Sequence, residues 1–169
     1  MSTAKVVIVM GSDNDLPVME EAGKMLDKFG IAYEMTVASA HRTPARVSDL
    51  SRNAHRRGVE VIIAGAGAAA HLAGFIAAET TLPVIAVPID SSPLLGLDAL
   101  LAMVQMPGGV PVATVAIGKA GAKNAGILAA QILGIKYPEV SARLIAYKDE
   151  MAVEVEAKDK KLKEKLGKG

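Results

Sequence analysis

Five times along this chain a short apolar run gives way to a segment with helical apolar spacing. The runs cover residues 5–10, 33–38, 59–64, 84–89 and 110–117. A strand with one wet face alternates apolar and polar residues. Runs that do not alternate are buried on both faces, which calls for parallel strands with crossover helices above and below the sheet. The segments between them supply those helices. Residues 16–29 carry Leu16, Met19, Ala22, Met25, Leu26 and Phe29 on one side and stop at Gly30. Residues 44–57 follow, closed by Gly58. A short helix opened by Gly65-Ala66-Gly67 ends near Thr81, residues 94–105 stop at Met106-Pro107-Gly108-Gly109, and residues 122–133 complete the set. The expected fold is an α/β doubly wound parallel sheet, with residues 1–134 as the α/β body and 135–169 as a helical extension.

In such folds ligands sit in the crevice beyond the carboxyl ends of the strands. The second of these loops is the most telling: Ser39-Ala40-His41-Arg42-Thr43-Pro44. Thr43 and Pro44 are suited to the N-cap and first position of the next helix. His41 can move a proton near neutral pH, and Arg42 offers an anion a rigid fork of donors. Three roles fit His41: general acid/base, substrate hydrogen-bonder or structural loop residue. Its place between Ser39 and Arg42 at a strand end favours the first.

The first loop, Gly11-Ser12-Asp13-Asn14-Asp15, lies at the neighbouring strand end. Ser12 and free N–H groups can hold a phosphate there, and Asp15 can accept from ribose hydroxyls, although Asn14 or Asp15 also suits a plain N-cap. His55 lies among the charges of residues 52–57 and reads as solvated. His71, expected two or three residues into the third helix, can line the same pocket or pack locally. Ser91-Ser92 and the stretch from Gln105 to Gly109 are either pocket walls or connectors.

Gly65-Ala66-Gly67-Ala68-Ala69-Ala70, with Asp90 further on, has the spacing of a dinucleotide fingerprint. An NAD-dependent oxidoreductase is therefore the competing reading. Against it, the motif follows the third strand, and no second domain remains for a substrate. A non-catalytic nucleotide-binding module is a third reading, one that has no need of His41.

Composition narrows the field. The net charge is +1, which argues against non-specific nucleic-acid binding. There is no cysteine, so thiolate catalysis, disulfides and Cys-ligated zinc are excluded. That suits a reducing, cytoplasmic setting. Residues 61–78 carry no formal charge, but they are rich in Ala and Gly and read as a buried strand plus a small-residue helix rather than a membrane span. Apolar residues make up 51% of the chain and aromatics only 3%, more small apolar surface than one domain readily buries, so self-association is expected. The terminal segment, residues 141–166, keeps apolar positions at Leu144, Met151, Val155, Leu162 and Leu166 and ends in a charge run from 158 to 168. It reads either as a solvated helix or as one that packs on a neighbouring subunit.

Read in order, Met10-Gly11-Ser12 with Asp15, the Ser39–Pro44 hexapeptide, Ile63-Ala64-Gly65-Ala66-Gly67 with Ala70-His71-Leu72, the stretch from Val104 to Val112, Ala116-Ile117-Gly118 and Ala122-Lys123-Asn124-Ala125 form a specific set. The chain resembles the 5-(carboxyamino)imidazole ribonucleotide mutases, small bacterial enzymes of purine biosynthesis. The resemblance implies a flavodoxin-like three-layer sandwich assembled as an octamer, with no metal, cofactor, nucleic-acid partner or membrane. It implies movement of a carboxyl group from an exocyclic nitrogen to ring carbon 4, with His41 as acid/base. Ser12 and Arg42 would then bind the phosphate and Asp15 the ribose, while Ser39, Gly65, Ala66, Gly67, His71 and Leu72 line the pocket. A related branch carboxylates aminoimidazole ribonucleotide directly from carbon dioxide; the Ala70-His71-Leu72 element looks like the mutase branch. The chain departs from the family's pattern at Asn14, where Ser is frequent, at Ala68 and Ala73, where Gly and Pro are usual, and across residues 89–93.

Overall fold

The computed structural model describes residues 3–167; the first two residues and Lys168 of the terminal charge run lie outside it. Five strands, β1 (Val6–Met10), β2 (Tyr33–Val37), β3 (Val61–Gly67), β4 (Val84–Ile89) and β5 (Ala113–Thr114), form one all-parallel sheet in the order β2-β1-β3-β4-β5. This is the flavodoxin-like order, whose switch point lies between β1 and β3. Six helices accompany it: α1 (Leu16–Lys28), α2 (Pro44–Asn53), α3 (Leu72–Glu79), α4 (Leu97–Val104), α5 (Gly118–Gly134) and α6 (Pro138–Lys165).

The strands are buried on both sides because alternate residues feed two separate cores. Val6, Ile8 and Met10, with Val61, Ile63, Ile85 and Val87, meet α1, α5 and the start of α6. Val7, Val9, Ile62, Ala64 and Ala86 meet α2, α3 and α4. Small residues set the distance between helices: a Cβ on Gly126 of α5 would stand 2.7 Å from the Ala22 carbonyl oxygen of α1.

Three elements differ from the sequence expectation. Gly65-Ala66-Gly67 does not open a helix. It continues β3, because Gly65, Ala66 and Gly67 all pair with β4 and Gly65 also pairs with Met10 of β1. His71 accordingly stands at the N-cap of α3 instead of inside it. The fifth run forms a ladder only at Ala113 and Thr114; Pro111, which has no N–H to donate, stands just before them. Finally, the terminal stripe is not all surplus. Val140 and Tyr147 are buried, Leu144 packs beside them, Tyr147 meets the Phe29 ring edge-on at 5.6 Å, and Arg143 donates to the Phe29 carbonyl at 2.6 Å. From Met151 onward every described residue of α6 is exposed.

Candidate active site

A cavity of about 360 Å³ opens at the carboxyl ends of β1, β2, β3 and β4. The loop after β1 begins its floor. Ser12 caps a short 3₁₀ turn, taking the Asn14 N–H on its hydroxyl at 3.3 Å, while its own N–H donates to the Asp15 carboxylate at 3.1 Å. Ser12 thus caps the 3₁₀ turn, while Asp15 holds the N-cap position of α1 without a side-chain cap bond of its own. Asp15 is only 6% exposed, and burial pushes its carboxyl above the usual range, against the hydrogen bond from Ser12 and the nearby Arg42 charge. It enters the cavity as a buried acceptor.

The loop after β2 is braced within itself. The Ser39 N–H donates to the Thr43 hydroxyl at 3.0 Å, the Thr43 hydroxyl donates to the Ser39 carbonyl at 3.1 Å, and the Arg42 N–H donates to the Ser39 hydroxyl at 3.2 Å. Thr43 is the N-cap residue of α2, but its hydroxyl braces the loop instead of accepting from a helix N–H. Held by this bracing, Arg42 reaches across to the first loop and donates to the Gly11 carbonyl at 2.9 Å. One strand-end loop thereby fixes the distance to the next, with a guanidinium between them that hydrogen-bonds a neutral carbonyl and lies near the Asp15 carboxyl.

His41 is exposed at the cavity and faces His71. Its Nε2 lies 2.9 Å from His71 Nδ1, with the rings crossed at 81°. Two imidazole nitrogens at that distance share one proton, so one ring donates and the other accepts. A second proton placed between them would break the contact. The arrangement holds the His41 ring by a partner that is itself a base.

The third wall is the end of β3 and the turn after it: Ala66, Gly67, Ala68, Ala69 and Leu72, joined by Ser91 from the loop after β4. A Cβ on Gly67 would collide with the Ser91 hydroxyl, so glycine allows these two loops to meet. Ala68 adopts a left-handed conformation, φ +45°, that favours glycine. This is one of the positions where the chain departs from the pattern it resembles.

Ser12, Asp15, Ser39, His41, Arg42, Ala66, Gly67 and Leu72 all line the one cavity. His71 joins through His41, not as a lining residue. Gly65 lies a layer deeper, its amide in the sheet and its missing Cβ replaced by the Met19 thioether. Ala40, Ala68, Ala69 and Ser91 also line the cavity. Ser91 was legible only as one of two strand-end serines; the other, Ser92, accepts the Leu94 N–H instead. The dinucleotide spacing is not expressed as a dinucleotide turn, because its first glycines are strand residues and α3 starts only at Leu72. Among the described residues no three His, Asp or Glu side chains cluster at metal-ligand spacing, and no helix is long and apolar enough to cross a membrane.

A sequence model of the AIR carboxylase family matches residues 5–154. An N5-carboxyaminoimidazole ribonucleotide mutase from Thermotoga maritima is 59% identical over 95% of this chain and 92% of its own length. The protein of that name from Mycobacterium tuberculosis is 54% identical over 97% of this chain and 93% of its own. The crystal structure of Treponema denticola PurE superposes with a TM-score of 0.85 at 30% identity, covering 94% of this chain and 98% of that one.

Proposed function

The chain belongs to the AIR carboxylase family, and from that premise we propose that it converts 5-(carboxyamino)imidazole ribonucleotide to 4-carboxy-5-aminoimidazole ribonucleotide in purine biosynthesis. It is an isomerase of the mutase kind, the activity named for its relatives at 54–59% identity.

The observation that carries the mechanistic part is His41, beside an arginine whose guanidinium is bonded to a neutral carbonyl, and held by a second imidazole. A carbamate gives up carbon dioxide when its nitrogen is protonated, so the first step needs an acid. His41 gives that proton, the N–C bond breaks, and carbon dioxide and the aminoimidazole are released together. Carbon 4 then attacks carbon dioxide, and its own proton must leave; His41, now neutral, takes it and returns to its starting state. One group serves both steps and no proton is lost overall. His71 positions the ring. Arg42 and Ser12 take the phosphate, Asp15 the ribose hydroxyls, and the small side chains of Ala66, Gly67, Ala68 and Ala69 hold the carbon dioxide close.

The test is an ultraviolet assay with the carbamate substrate, with and without added bicarbonate. Conversion that does not depend on bicarbonate supports the mutase. Conversion of aminoimidazole ribonucleotide that does depend on it makes the chain a direct carboxylase.

The working form is a homo-octamer in the cytoplasm. Three features support assembly. Leu94, Leu97, Leu101 and Val104 repeat along one exposed side of α4 and its lead-in, next to Leu95. Lys123 and Asn124 of the last shared motif stand on a groove between α5 and α6, not at the cavity of their own chain. The second half of α6 has no cover in its own subunit. Light scattering on the full chain is the check; a monodisperse monomer with full activity would rule the assembly out.

A further inference from the structure

The free half of α6 carries a pattern that fits one partner better than any other: itself, reversed. Met151, Val155, Leu162 and Leu166 are exposed, and at 3.6 residues per turn they fall within an arc of about 60°. Val153 points to the opposite side. The charges along the same stretch are segregated. Residues 149–156 contain Asp149, Glu150, Glu154 and Glu156 and no base, whereas residues 158–165 contain Lys158, Lys160, Lys161, Lys163 and Lys165 against Asp159 and Glu164.

We propose that the segment 151–166 pairs with the same segment of a second copy of this chain, antiparallel, about a two-fold axis near residues 158 and 159. In that arrangement Met151 lies opposite the second copy's Leu166, and Val155 opposite its Leu162, so the apolar stripe is self-complementary. The flanks favour the same arrangement away from the axis, while at the axis Lys158 lies beside its own copy on one flank and Asp159 beside its own copy on the other. An antiparallel two-fold pair brings together residues on the same flank of the two helices. On one flank Glu154 meets Lys161, and on the other Glu156 meets Lys163. Lys163 is already held by Asp159 one turn away at 2.7 Å, so the Glu156 pair extends that contact rather than starting a new one. A parallel pair would set acidic half on acidic half and basic on basic, which like-charge repulsion opposes. The inference deepens the assembly reading above by naming what α6 docks on.

The chain has no cysteine, so a single introduced thiol reports its own neighbourhood. In full-length protein under mild oxidation, Lys158→Cys, at the axis, is expected to form a disulfide-linked dimer. Lys160→Cys, on the outer side at the same height, is expected to stay monomeric on a non-reducing gel. Met151→Cys alone should not link, since its own copy would be about 22 Å away, but co-expressed with the Leu166→Cys chain it should. Linking by Met151→Cys alone would mean a parallel pair and overturn the proposal, as would absence of linking at Lys158→Cys. Charge supplies the second arm. In the Lys158→Cys background, Glu154→Lys with Glu156→Lys, or Lys161→Glu with Lys163→Glu, should each abolish linking. Co-expression of the two should restore it as a mixed dimer. If neither pair of substitutions changes linking, or co-expression fails to rescue it, the complementary pairing is wrong. An octamer by light scattering with no link at residue 158 would sink this inference and leave the assembly standing; a linked dimer that goes no higher would do the reverse.

Discussion

The two ends of the sheet use charged residues in opposite ways. At the amino end Glu60 sits where three donors converge: Lys5 at 2.8 Å, Lys136 at 3.2 Å and the Tyr137 hydroxyl. Both lysines also lie over the Tyr137 ring. Burial pushes Glu60 up, but those hydrogen bonds outweigh it and hold the carboxyl at about 2. At the carboxyl end no charge is matched in this way. Asp15 is pushed up by burial, Arg42 leans on a neutral carbonyl, and His41 faces another histidine. A satisfied charge stabilises the fold and has nothing left to offer a ligand. An unsatisfied one costs stability and keeps its interaction for a substrate.

The largest contrast lies in turnover. His41→Asn should keep the fold by circular dichroism and lose about 10² to 10⁴-fold in rate, the usual worth of acid–base assistance. A variant still turning over within about threefold would place the chemistry on another group.

Affinity comes next. Arg42→Ala and Ser12→Ala should each weaken ribonucleotide binding by roughly 1.5–3 kcal/mol, the worth of a hydrogen bond to a charged group, and Ser12→Ala should also cost about 1 kcal/mol of stability for its lost cap. Calorimetry with the product ribonucleotide measures it. If affinity held and stability fell, the carboxyl end would be behaving like the amino end.

Glu60→Gln should do the converse. Activity at neutral pH is expected to hold while stability falls by about 2 kcal/mol, as three donors lose their anion. The sign with pH follows from the depressed value. The stability due to Glu60 is fully present above its unfolded value of 4.5 and is lost as pH falls from there through about 2. Asp15, raised, acts the other way: it costs stability as pH rises through and beyond the ordinary range. Denaturant midpoints against pH should therefore decline less steeply below 4.5 in Glu60→Gln than in the parent. Parallel curves would mean the network contributes nothing.

The smallest effect sits at the cavity wall. Ala68→Gly should stabilise the protein by about 1 kcal/mol or less, the relief of a left-handed alanine minus the added freedom of the unfolded chain. Denaturant unfolding decides it, and a loss of stability would show that the alanine methyl is better packed than strained.

Local pattern alone determined much of this protein. β4 begins and ends where its apolar run does, and α1 starts at the expected residue, because turn chemistry and apolar spacing are written in neighbouring residues. The same locality placed His41, Arg42, Ser12 and Asp15 together at strand ends. Contacts between distant residues were the work of the tertiary structure. Gly65-Ala66-Gly67 looks like a helix-opening loop until β1 and β4 claim its backbone from either side. The fifth run is mostly apolar, yet only two of its residues ladder, because β4 pairs with it only at Ala113 and Thr114. His41 and His71 are thirty residues apart, and Lys5, Glu60, Lys136 and Tyr137 further still. No local signal joins them. They meet because parallel strands bring every strand start to one end of the sheet and every strand end to the other.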